Sequence, residues 1–184
     1  MTDASTKKLD FALSLYPDPV LRKPAVPVET FDADLRATVA GMFERMRASQ
    51  GVGLAAPQVG LQLRVLVLNP TGEPQDDLAL INVSIIERSG PLTLFEEGCL
   101  SFPGIYAEVK RPERCTVSYR DLEGNSVERE FEGFASRIVQ HEYDHLEGVL
   151  LVDRMSPADK ARHRAALASL VDRYKTRAAQ KSPK

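Results

Sequence analysis

FASRIVQHEYDHLEG, residues 134–148, is the stretch from which the fold can be read outward. Phe134, Ile138, His141 and His145 recur at helical spacing along one face, and Gly148 supplies a stop. Four residues of helix set His141 and His145 one turn apart, so both imidazoles can reach one cation. Glu142 then stands beside water bound to that cation. The ordinary alternative is two core or surface histidines at a chance spacing.

Upstream and downstream of this helix the pattern changes. Residues 14–28 contain four prolines and read as an extended arm with turns. Asp32 can cap a helix whose Leu35, Val39, Met42, Phe43 and Met46 form one apolar stripe, ended by Gly51 and Gly53. Residues 61–68 and 78–86 read as strands, the second closed by Ser89-Gly90-Pro91. Residues 114–120 and 126–134 flank DLEGN and read as a hairpin. A last helix opens at Ser156-Pro157 and runs through Ala161, Ala165, Ala168 and Val171. Connections this short exclude parallel crossovers. The expected fold class is α+β, a mostly antiparallel sheet packed around the central H-E-x-x-H helix, with an N-terminal and a C-terminal helix.

Composition narrows the class. The chain has 184 residues, 43% hydrophobic and 27% charged, with a formal net charge of −2. One domain over residues 1–184 is expected, with 1–10 and 176–184 as poorly ordered tails. The balanced charge offers no global attraction for DNA or an anionic membrane. No apolar run approaches the roughly 20 residues of a membrane span, and no targeting signal is visible, so the expected place is the cytoplasm. Two cysteines, Cys99 and Cys115, do not make a disulfide framework, although a bond between them is the competing use of both thiols.

A catalytic centre of this kind needs a third protein ligand and an open position. The H-E-x-x-H-x-x-G-x-x-H pattern matches through Gly148 and then meets Leu151, and no glutamate follows Glu147. His163, between two arginines, reads as a solvated or half-buried side chain. The thiols remain. Cys99 lies in an irregular segment with Gly98, Pro103 and Gly104 and is the preferred ligand; Cys115, in a predicted strand, reads as a small buried hydrophobe.

Three segments together resemble the peptide deformylases: GVGLAAPQ (51–58), EGCLS (97–101) and QHEYDHLEG (140–148). The proline-rich YPDPVLRKPAVPV is similar to that family's N-terminal arm, and the likeness covers about residues 12–155. The resemblance implies a hydrolase that removes the N-formyl group from formyl-methionine on nascent polypeptides, releasing formate. It implies Cys99, His141 and His145 as ligands of one divalent metal ion. Iron(II) is implied natively, with nickel, cobalt or zinc as replacements; thiolate and imidazole suit zinc equally well.

On that reading, water activated at the metal attacks the formyl carbon. The formyl oxygen meets the Leu100 backbone N–H and the Gln58 amide, while Glu142 moves the proton. Gln58 as a turn cap and Glu142 as an exposed helix residue are the plainer alternatives. Gly53 is the implied substrate contact, and Ile105 and Tyr106 are candidates to line the methionine pocket. Asp144 and Gln140 are candidate hydrogen-bond partners of the ligating histidines. The basic tail 173–184 would dock on the ribosome or, equally, be a solvated end. A metallopeptidase on the same helix, and a closed structural site using Cys115 as fourth ligand, are the rival functions.

Overall fold

Short connections between apolar strands leave no room for crossovers, and the computed structural model, which describes residues 9–181, pairs its strands in chain order. Strands β1 (Gly53–Ala55), β2 (Val65–Leu68), β3 (Leu78–Gly98), β4 (Tyr106–Arg120) and β5 (Ser126–Glu132) form one antiparallel sheet. Helix α1 (Ala33–Ala48) packs on one side of β2 and α2 (Gly133–Leu146) on the other. Period-two alternation does the sorting: Val65 and Val67 join Leu35, Val39, Met42 and Met46 of α1, whereas Leu66 and Leu68 join Ile138, Val139 and Leu146 of α2. The α+β expectation holds.

The helix signals hold where they are local. The Asp32 carboxylate accepts from the Leu35 N–H and starts α1. Gly148, at φ +71°, lies just past the end of α2, and a methyl there would stand 2.5 Å from the Arg22 carbonyl oxygen. Asp121 Oδ1 accepts from the Glu123 and Asn125 N–H groups, and Gly124 takes φ +84°, closing the β4–β5 hairpin.

Several boundaries differ from expectation, among them the start of β4, which begins at Tyr106 rather than at 114. The strand predicted over 61–68 is confined to 65–68, because Leu63 and Arg64 pair instead with Val26 of the arm. Ser89-Gly90-Pro91 does not end β3; it is a bulge, with a register shift between Ser89 and Leu92 and Gly90 at φ +78°. The strand therefore runs on to Gly98 and delivers Glu97 and Cys99 to the side of α2. The last helix is broken at His163 into α4 (Pro157–Arg162) and α5 (Arg164–Lys181), with the short α3 (Leu151–Arg154) ahead of them. His163 Nε2 donates to the Tyr106 carbonyl at 2.7 Å, a tertiary bond that local helix propensity does not contain.

The proline-rich arm is strapped across the sheet. The Ser14 N–H donates to the Gln58 carbonyl at 2.7 Å, Tyr16 N–H to Ser101 at 3.0 Å, and Ala25 N–H to Leu146 at 2.8 Å. Residues 176–181 complete α5, while 1–8 and 182–184, the outer parts of the expected tails, lie outside the described residues. Among the described residues no helix is long and apolar enough to cross a membrane.

Candidate metal centre

Helical spacing delivers what it promises. His141 and His145 sit one turn apart on α2 with ring centroids 5.3 Å apart, and the segment after β3 carries Cys99 against them. Cys99 Sγ stands 3.2 Å from His145 Nε2, and one ligand atom from each of the three residues lies within 4.8 Å of the others. Around one tetrahedral ion such atoms stand roughly 3.4–3.6 Å apart, so this donor set fits a cation after a small adjustment. No fourth histidine, cysteine or carboxylate joins the set among the described residues. Cys115 is fully buried elsewhere, sharing a hydrogen bond with Ser136, and both thiols are free. That removes both the disulfide and the closed site built on Cys115. His163 lies apart from the set, on the β4 backbone.

The hydrogen-bond partner of His141 is Glu97, not Asp144 or Gln140. His141 Nδ1 donates to Glu97 Oε2 at 2.9 Å, which leaves Nε2 to face the thiol and a cation. Gln140 instead donates to the Pro112 carbonyl and Ser136 Oγ, and Asp144 accepts from Arg111 and Arg154. Glu97 is the hub of a buried ion network. Arg111 reaches both its oxygens, at 2.7 and 2.9 Å, and Arg137 reaches Oε1 at 2.7 Å. Arg137 also donates to the Thr93 and Val109 carbonyls, tying α2 to both strands of the long hairpin. One sequence signal could have exposed this network: Arg111 continues the inward-facing alternation of Ala107 and Val109, and a buried arginine demands a buried acid.

Burial alone would raise the Glu97 carboxyl, but the hydrogen bonds and charges of His141 and Arg111 overcome it and hold the pKa at about 2. A carboxyl held below its unfolded value stabilises the fold above about pH 4.5, and that contribution fades as pH falls toward 2. It amounts to about 3 kcal/mol at neutral pH. The stability gap between the parent and Glu97→Gln is therefore expected to narrow between pH 5 and pH 3 in denaturant titrations of the metal-free proteins. A gap independent of pH would contradict the assignment.

Burial penalises charge on both imidazoles. In His141 the hydrogen bonds to Cys99 and Glu97 reverse that penalty and raise the pKa well above its ordinary value; in His145 burial, aided by the charge on His141, lowers it. Of the two imidazoles, His141 is therefore the one on which positive charge is favoured. Glu142 is also buried; desolvation, aided by the Glu97 charge, lifts its carboxyl to about 7 against the pull of His141 and Arg111. Its Oε2 is buried with no protein partner among the described residues.

Gln58 makes the turn-cap contact and also reaches the donor set. Its Oε1 accepts from the Ala55 N–H at 2.8 Å, as a turn cap does, and this fixes the amide so that Nε2 points to Ser101 Oγ at 3.4 Å and Cys99 Sγ at 3.6 Å. Gly53 lies in β1 against α2, where a methyl would stand 2.5 Å from Glu142 Oε1 and 2.7 Å from Ile138 Cγ2. Gly53→Ala is expected to cost about 1–3 kcal/mol in denaturant unfolding, because the Ile138 methyl, branched close to the backbone, yields only if the helix face moves and Glu142 must leave its rotamer. An unchanged midpoint would show that Glu142 swings away freely.

These residues open onto a cavity of about 700 Å³ lined by Gly51, Gly53, Cys99, Leu100, Ile105, Tyr106, Phe134, Ile138, His141 and Glu142. Ile105 is buried in its wall, and Tyr106, half exposed, stands at its mouth. Phe95 and Phe134, 51% and 47% exposed, approach to 6.3 Å between ring centroids beside it. An apolar cleft ending at a thiol, the His141 imidazole and a buried carboxylate can hold an apolar side chain while a polar bond is cleaved next to it.

Comparison with known proteins agrees in extent and in fold. The sequence profile of the family described as polypeptide deformylase matches residues 11–161. A peptide deformylase of Thermotoga maritima is 47% identical over 150 residues, covering 82% of this chain and 90% of its own length. Peptide deformylase 1B of Arabidopsis thaliana, chloroplastic/mitochondrial, is 44% identical over 170 residues; the chain spans 62% of that longer protein. The crystal structure of a Plasmodium falciparum peptide deformylase superposes with a TM-score of 0.88 at 40% identity, covering 94% of this chain and 100% of that one.

Proposed function

The chain belongs to the polypeptide deformylase family and is a hydrolase of the N-formyl group of nascent polypeptides; from that premise we propose how its residues divide the work. Cys99, His141 and His145 hold one divalent cation, iron(II) in the native protein, with nickel, cobalt or zinc able to replace it. What supports this most directly is the convergence of three donor atoms within 4.8 Å beside the partnerless Glu142 Oε2. When bound, such a cation lowers the pKa of water at its open position toward roughly 7 and polarises a carbonyl.

Glu142 takes the proton of the attacking water on Oε2 and returns it to the departing amine. A carboxyl lifted by burial to about 7 suits both halves of that cycle, and a nearby cation draws it lower, toward the base form. Gln58 Nε2 and the Leu100 N–H donate to the oxygen on which charge develops; one such donor is typically worth about 3–4 kcal/mol. The Gln58 amide reaches the reaction already oriented, because Ala55 holds its other end. Gly53 lets the substrate backbone lie close to Glu142, and Ile105 and Tyr106 meet the methionine side chain. Glu97 keeps His141 in the tautomer that presents Nε2.

The test is purification without oxygen, metal analysis and formate release from formyl-Met-Ala, with casein as the competing substrate. Oxygen is excluded because a thiolate centre is oxidisable. Stoichiometric metal with formate release supports the assignment. Casein cleavage without formate release would favour the metallopeptidase. Cytoplasmic placement and ribosome docking through residues 173–184 extend the same reading.

A further inference from the structure

A second hollow, of about 540 Å³, lies between the proline-rich arm and α5. Its apolar floor comes from Leu13, Leu15, Tyr16 and Leu170, and its wall from Arg173 and Arg177, one helical turn apart on α5 and both exposed. Asp18 is the only acid among the lining residues, and its Oδ1 already accepts from the Val20 N–H. The hollow therefore carries a net positive charge over an apolar base.

It adjoins the reaction cleft. Leu13 lines both, and Tyr16 of the hollow stacks at 4.9 Å on Phe102, which lines the cleft. A polypeptide held in the cleft by its first residues has its remaining length outside, at roughly 3.3 Å per residue, and the shared lining at Leu13 gives it a way into the hollow. We propose that this hollow is a downstream subsite, which takes residues of the formylated polypeptide several positions after the methionine and favours an acidic side chain there, paired with Arg173 or Arg177. The inference rests on the deformylase reading and deepens it. The apolar floor and the continuity with a peptide cleft favour a polypeptide over a polyphosphate as occupant.

Formyl-Met octapeptides of alanine and serine carrying one Asp, moved from position 3 to position 8, are compared at low salt with the same series carrying Lys. Formyl-Met-Ala, too short to reach the hollow, is the internal reference. The expected result is a KM about 2- to 5-fold lower for Asp than for Lys at one or two neighbouring positions, as befits exposed ion pairs. The difference disappears at high ionic strength and in the Arg173→Ala/Arg177→Ala double variant. Equal KM for the two series at every position would overturn the proposal, as would a preference that survives in the double variant. Failure to hydrolyse formyl-Met-Ala at all would instead defeat the reading on which it rests.

Discussion

Glu142→Gln is expected to keep its metal and lose turnover by about 10²–10⁴-fold, the usual contribution of a positioned general acid–base group. The substitution preserves the shape of a side chain wedged against Gly53 and Ile138, so a folding defect is not the expected cause. It removes only the ability to take a proton at Oε2, which is buried with no protein donor among the described residues. Metal content, read by elemental analysis, should match the parent. The parent's rate should also fall on the acid side as Glu142 becomes protonated, and the variant should lack that limb. Near-full activity in Glu142→Gln would mean that the proton is moved by another group.

Cys99→Ala and His145→Ala should each abolish stoichiometric metal binding and, with it, formate release. Loss of a partner that merely orients a ligand already costs 10–100-fold in affinity, so loss of a ligand should exceed about 100-fold. Equilibrium dialysis followed by metal analysis reads this without relying on activity. Cys115→Ala is the control: that thiol is buried among Ser136 and the α2-side core, away from the donor set, and its variant should retain metal. If Cys115→Ala released the ion and Cys99→Ala did not, the assignment of ligands would be reversed.

Local chemistry was legible and long-range chemistry was not. The i,i+4 histidines, the Asp32 and Ser156 caps and the Asp121–Asn125 turn are each decided within five residues, and each appears where the pattern puts it. Cys99 was read from its segment and its resemblance; spacing from the helix says nothing of a sulfur 46 residues away. Glu97 lies in that segment, but its bond to Arg137 spans 40 residues and that between Arg111 and Asp144 spans 33, so no window along the chain contains them. Ser-Gly-Pro carries a local stop signal that pairing with β4 overrides, and Lys110-Arg111-Pro112-Glu113-Arg114 hides the first half of β4 behind charge. The His163 break was illegible for the same reason: its cause is a carbonyl 57 residues upstream.

Beyond Ile81, β3 pairs with β4 alone, so much of its other edge is a row of backbone groups on which a foreign strand could settle. The kink at Ser89-Gly90-Pro91 interrupts that row midway, and Pro91 brings no amide hydrogen to it. The same irregularity that lets β3 continue to Gly98 thus blunts its open edge against pairing with a second copy.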